Sequence, residues 1–99
     1  AIGVDYNQNY IQPGTMLTSM LKRVDLAVYT AFKSAKDGTW KPGVGSLGLA
    51  EDGVGWALDD DNKALISADM KAKVDQARQD IISGKIKVVD YTAAKSCPN

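Results

Sequence analysis

Apolar and polar positions divide this chain into short runs and two longer periodic stretches. Ala1 to Val4 is an apolar run that stops at Asp5, which predicts a short buried strand. Tyr6 to Gly14 is polar, turn-rich and closes on Pro13-Gly14, so it predicts a loop. Thr15 to Leu21 fits a strand or the first turn of a helix, and strand is the better reading because the following helix has its own stripe. Val24, Ala27, Val28, Ala31 and Ala35 recur every three or four residues on one helical face, and Gly38 stands where a left-handed cap ends a helix.

The next stretch changes period. Thr39 to Gly45 is a Pro/Gly linker, and SLGLA and VGWAL around Glu51-Asp52-Gly53 read as a hairpin-like pair. Asp59, Asp60 and Asp61 predict a solvated loop. Ser67 then caps a second helix, with Asp69 in its first turn and Met70, Val74, Ala77 and Ile81 as its apolar stripe. Asp69 with Lys73, and Lys71 with Asp75, are exposed pairs contributing ~0.2–0.5 kcal/mol each. Gly84 ends that helix, Ile86 to Val89 predicts a final strand, and the tail from Tyr91 reads as loose.

The order is therefore strand, crossover, helix, hairpin, helix, strand, an α/β class. A parallel strand wants neighbours on both sides and helices on both faces, and this chain supplies too few of either. That predicts part of a larger fold, with Ala1 inside a strand as a cut or processed end.

Composition narrows the function. The 99 residues are 44% hydrophobic and 24% charged, with twelve basic and twelve acidic side chains. A zero net charge leaves no electrostatic footprint for nucleic acid or an anionic membrane. No apolar run approaches the roughly 20 residues of a membrane span. Cys97 is the single cysteine and does not identify a compartment.

Few residues carry candidate chemistry. Asp5, at the end of a strand, can accept hydrogen bonds from vicinal hydroxyls, or simply cap the next turn. Lys22 opens a helix, where its charge fits the dipole poorly; it is either a ligand contact or a solvated lysine. The chain has no histidine and no nucleophile–base pair, so an enzyme is not expected. Asp59 to Asp61 lack the alternating spacing and closing glutamate of a cation loop. GVGSLG precedes a strand, so it presents no helix N-terminus to a phosphate. Trp40 and Trp56 read as packing residues.

The segments AIGVDYNQNYIQPGTMLTSMLKRVDLAVY, KPGVGSLGLAEDGVGWAL and QDIISGKIKV resemble the purine-nucleoside-binding members of the basic membrane protein family. Those are substrate-binding proteins of ABC importers, often lipoproteins, with the two-lobed type I periplasmic-binding-protein fold. The resemblance covers nearly all of this chain and the last third or so of such a protein. It implies that residues 1–14 are the strand and loop of a ligand lobe, 15–21 the interlobe crossover, 22–90 helices and strands of the lobes, and 91–99 a tail. It implies that Asp5 and Lys22 bind the ribose, with weaker roles for Tyr6, Asn7 and Gln8. Related sequences read D-S-D-Q or D-V-D-Q here, so Gln8 fits while Tyr6 and Asn7 depart.

The implied partners are a nucleoside, the importer's permease and the N-terminal remainder of the same protein, at an extracytoplasmic, membrane-anchored location. No cofactor, metal or nucleic acid is implied. The alternatives are a ligand-sensing module of the same fold and an interaction domain without ligand. The 99 residues alone are expected to self-associate and to bind little nucleoside.

Overall fold

Strand pairing starts from a glycine. In the computed structural model, which describes residues 1–97, β1 (Ile2–Gly3) lies parallel to β2 (Thr18–Lys22), with Gly3 opposite Ser19. A Cβ on Gly3 would stand 2.5 Å from the Ser19 hydroxyl oxygen and 3.0 Å from Gln8 Cβ, so only glycine admits this approach. Flanking bonds extend the pairing beyond both ends of β1: Leu17 N–H donates to Ala1 C=O at 2.8 Å, and Lys22 N–H donates to Asp5 C=O at 2.8 Å. The link between the strands carries a single 3-10 turn, Asn9–Ile11, in place of a crossover helix.

β3 (Val54–Trp56) adds antiparallel to β2, with Met20 opposite Trp56 and Lys22 opposite Val54, so the sheet order is β1-β2-β3. This corrects the hairpin expected between SLGLA and VGWAL. SLGLA curls instead of extending: Gly53 N–H donates to Gly48 C=O, and the Glu51 carboxylate accepts from Gly48 N–H. Leu47 packs so closely on Gly53 that a Cβ there would meet its own Cβ at 2.5 Å. VGW takes the free edge of β2, which offers a longer ladder than a five-residue run broken by two turn residues.

α1 (Val24–Asp37) and α2 (Ala68–Ile82) form where periodicity places them. Gly38 closes α1 at φ 76°, in the left-handed region that glycine enters without a Cβ clash. The Ser67 hydroxyl accepts from Met70 N–H at 3.1 Å, satisfying one of the free donors at the start of α2. Both expected ion pairs are present, Lys71–Asp75 at 2.7 Å and Lys73–Asp69 at 3.2 Å. Arg78, on the stripe side of α2, reaches Asp52 at 2.5 Å and the Leu49 carbonyl at 3.2 Å, tying the helix to the SLGLA turn.

Three further expectations are corrected. Residues 86–89 form no strand: they pair with none of the three strands among the described residues. Instead of a loose tail, Tyr91–Ala94 make one helical turn, α3, capped by Asp90, whose carboxylate accepts from Thr92 N–H. Trp40 is exposed, while Trp56 is half-buried in β3.

The interior is small and polar at its centre. Met16 and Ala57 are the buried apolar side chains among the described residues, while Asn9, Ser19 and Asn62 are fully buried. Ile2 and Val4 are exposed, so the expected buried strand contributes Gly3 alone to the interior. Neither long helix buries a residue completely; Val28, Tyr29 and Phe32 of α1 face solvent. The radius of gyration is 16.2 Å, against about 13 Å for a self-contained domain of this length. Three strands among the described residues are too few to cover two amphipathic helices, which accounts for the open arrangement.

Candidate functional site

Asp5 and Lys22 end up side by side. Each follows or ends one strand of the parallel pair, and the bond between their backbones puts both at the carboxyl edge of β1 and β2. That edge is where open α/β sheets bind ligands. Asp5 adopts φ 76°, a conformation that aspartate tolerates better than most residues because its short side chain bonds locally. Both side chains are exposed, and neither joins an ion pair with another described residue. The edge therefore presents an uncommitted carboxylate and an uncommitted ammonium, one acceptor group and one donor group. Lys22 also rims a cleft of about 280 Å³ whose walls include Arg23, Val24, Ala27, Leu47 and Gly53.

The loop that leaves Asp5 is held by its own polar side chains. Gln8 folds inward: its N–H donates to the Ser19 hydroxyl at 3.0 Å, and its side-chain amide donates to Val4 C=O at 2.9 Å. The Asn7 carbonyl oxygen accepts from Asn9 N–H at 3.0 Å, and its amide donates to Asp59 at 2.6 Å. Asn7 and Gln8 are thus engaged in shaping the loop, while Tyr6, next to Asp5 in the chain, is exposed.

A buried polar cluster lies beneath this loop, and nothing in the sequence pattern announces it. Ser19 donates to the Asn9 side chain at 2.8 Å, and the Asn9 amide donates to Asp59 at 3.2 Å. Asn62 donates to the carbonyls of Leu17 and Ala57, both at 2.9 Å, and accepts from Asp59 N–H at 2.8 Å. No buried side-chain polar atom is left unsatisfied among the described residues. Asp59 therefore departs from the solvated loop expected for Asp59 to Asp61. It is half-buried, and its carboxylate accepts from Asn7, Asn9 and the Asp61 amide. The Asn7 bond foremost, then the others, holds it below the usual carboxylate range against the opposing effect of burial. Among the described residues, no three His, Cys, Asp or Glu side chains converge as a metal site.

A second concavity, of about 310 Å³, lies between α2 and the sheet, lined by Met20, Trp56, Val74, Ala77 and Ile81. It is the incompletely filled space under the α2 stripe. Asp5 and Lys22 do not line it.

Residues 1–92 match the family model of PnrA-like ABC transporter substrate-binding proteins. An uncharacterized lipoprotein of Pyrococcus abyssi is 52% identical over 60 residues, 60% of this chain and 15% of the relative. A CD4+ T-cell-stimulating antigen of Listeria monocytogenes is 41% identical over 87 residues, 87% of this chain and 22% of that protein. Basic membrane protein D of Borreliella burgdorferi is 36% identical over 89 residues, 88% of this chain and 26% of that protein. A solved solute-binding protein of an ABC transporter system from Aeropyrum pernix K1 superposes with a TM-score of 0.68 at 33% identity, covering 89% of this chain and 32% of its own. The chain thus spans between 15% and 26% of these curated relatives and about a third of that structure.

Proposed function

We propose, because this chain belongs to the family of PnrA-like ABC transporter substrate-binding proteins, that it supplies the ribose-holding edge of a purine-nucleoside site in an importer's binding protein. The family is one of binding proteins and not of enzymes. Its substrate-binding role fits a site that offers hydrogen-bonding groups and no nucleophile–base pair. Asp5 accepts from the 2′ and 3′ hydroxyls of the sugar, and Lys22 donates to the same hydroxyl oxygens. The observation that carries the reading is the bond from Lys22 N–H to Asp5 C=O, which keeps both groups at one strand edge. Tyr6 stands next to them, where related sequences carry a small residue, and covers one side of the sugar.

In this reading residues 15–21 cross between two lobes, and segments of the protein outside these 99 residues form the opposite wall and read the base. Closure of the lobes about that crossover traps the nucleoside and presents it to the permease. The lipoprotein and basic membrane protein names of the relatives favour an extracytoplasmic, membrane-anchored setting.

Calorimetric titration of the full-length protein with inosine, guanosine and adenosine tests the assignment. Saturable one-to-one binding of at least one of them is the expected result. A folded protein that takes up none of the three contradicts it.

A further inference from the structure

We propose that Asp59 is a positioning residue for the ligand-binding carboxylate of Asp5. The inference rests on the ribose reading above and adds a residue from a distant part of the chain. The loop after β1 has little apolar material to hold it: Tyr6, Tyr10 and Ile11 are all exposed. Asp5 itself sits in the left-handed region, which aspartate tolerates at some cost and which a well-held loop keeps populated. The bonds made by Gln8 reach Val4, Ser19 of β2 and, within the loop, Ile11 N–H. From the far side, the anchor is a single carboxylate oxygen of Asp59, which receives the amides of both Asn7 and Asn9 across 52 and 50 residues of sequence.

Asp59 is in turn fixed. Its N–H donates to Asn62, which is fully buried and grips the carbonyls of Leu17 and Ala57. Asn9, also fully buried, shares the cluster through Ser19 in the middle of β2. The chain of bonds therefore runs from the sheet through Asn62 and Asp59 to Asn7 and Asn9, and so to the backbone that carries Asp5. An ionised acceptor makes these bonds stronger than neutral ones, and the half-buried setting screens them less than open solvent would. Freed from Asp59, residues 6–9 would loosen. The Lys22 N–H would still hold the Asp5 carbonyl, but the Asp5 side chain would sample orientations in which its carboxylate no longer meets the sugar, and binding would bear the cost of ordering it.

The test uses the full-length protein with Asp59→Ala, Asp5→Asn and the double variant, with inosine as probe and amide hydrogen exchange as a ligand-free reading. Asp59→Ala should speed exchange at the Gln8 and Asn9 amides by about tenfold or more and weaken inosine binding by roughly tenfold. In the Asp5→Asn background, the same substitution should cost less than about twofold, since it acts through Asp5. Should Asp59→Ala not fold, the isosteric Asp59→Asn gives the same pattern on a smaller scale. Unchanged exchange at Gln8 and Asn9 overturns the proposal, as does an equal loss of affinity in both backgrounds. If Asp5→Asn alone leaves inosine affinity intact, the ribose reading has failed and takes the binding role of Asp59 with it. The exchange data then still report whether Asp59 orders the loop.

Discussion

The backbone amide of Lys22 donates to the backbone carbonyl of Asp5 at 2.8 Å, although the whole β1–β2 loop separates them. An acid and a base are thereby held at one strand edge through their main chains, leaving both side chains free for a third party. A surface ion pair formed for stability would have joined the side chains themselves, and that gain is small in water.

Replacing Lys22 by Met keeps the aliphatic stem and removes the charged donor. Nucleoside affinity of the full-length protein should fall by about tenfold, the worth of one charge-assisted bond. The melting temperature should not move, because the ammonium is exposed and joins no ion pair with a described residue. Calorimetry and a thermal melt of the same sample check both halves.

Gly3→Ala should destabilise the protein by about 1–3 kcal/mol, the usual cost of forcing volume into a filled site. The new methyl would press on the Ser19 hydroxyl and Gln8 Cβ. Gly55→Ala, in β3 with nothing within 4 Å of the added Cβ, serves as the control and should stay within about 0.5 kcal/mol. Urea denaturation distinguishes the two.

Acid should expose the contribution of Asp59. Its folded-state pKa lies below the ordinary 3.8, so the stabilisation is complete above that value and is lost as pH falls through the folded pKa. Asp25 and Asp90 are shifted in the same direction by Arg23 and Thr92 respectively. The difference between wild type and Asp59→Asn isolates the one group. Stability curves measured by denaturant from pH 6 down to about pH 2 should converge below about pH 4. Parallel curves throughout would show that the Asp59 charge contributes nothing.

The helices were legible in the sequence because their determinants are local. The stripe from Val24 to Ala35, the left-handed Gly38 and the Ser67 cap each act within a turn or two of chain. Strands were less so, since VGW pairs with whichever edge is free. That edge belongs to β2 and not to SLGLA, and residues 86–89 pair with no strand among the described residues. Asp5 and Lys22 were visible through position and resemblance. The cluster of Asn9, Ser19, Asp59 and Asn62 was not, because polar residues have no periodicity and its bonds join segments as much as 50 residues apart. A solvated run of acids and a buried hydrogen-bond acceptor look the same until the partners are in place.

The 99 residues by themselves should self-associate. Val24, Val28, Tyr29 and Phe32 leave an apolar face of α1 uncovered, and Ile2 and Val4 of the first strand are likewise exposed. Light scattering across a concentration series should show mass rising with concentration. A monodisperse monomer would mean that this open arrangement closes on itself.

Asp5→Asn in the full-length protein tests most directly whether Asp5 holds the ligand's sugar. Asparagine tolerates the same left-handed backbone, so the substitution removes the charge and leaves the turn in place. Calorimetric titration with the best-bound nucleoside should give a Kd about ten- to a hundredfold weaker at an unchanged melting temperature. A Kd within about twofold of wild type would contradict the account.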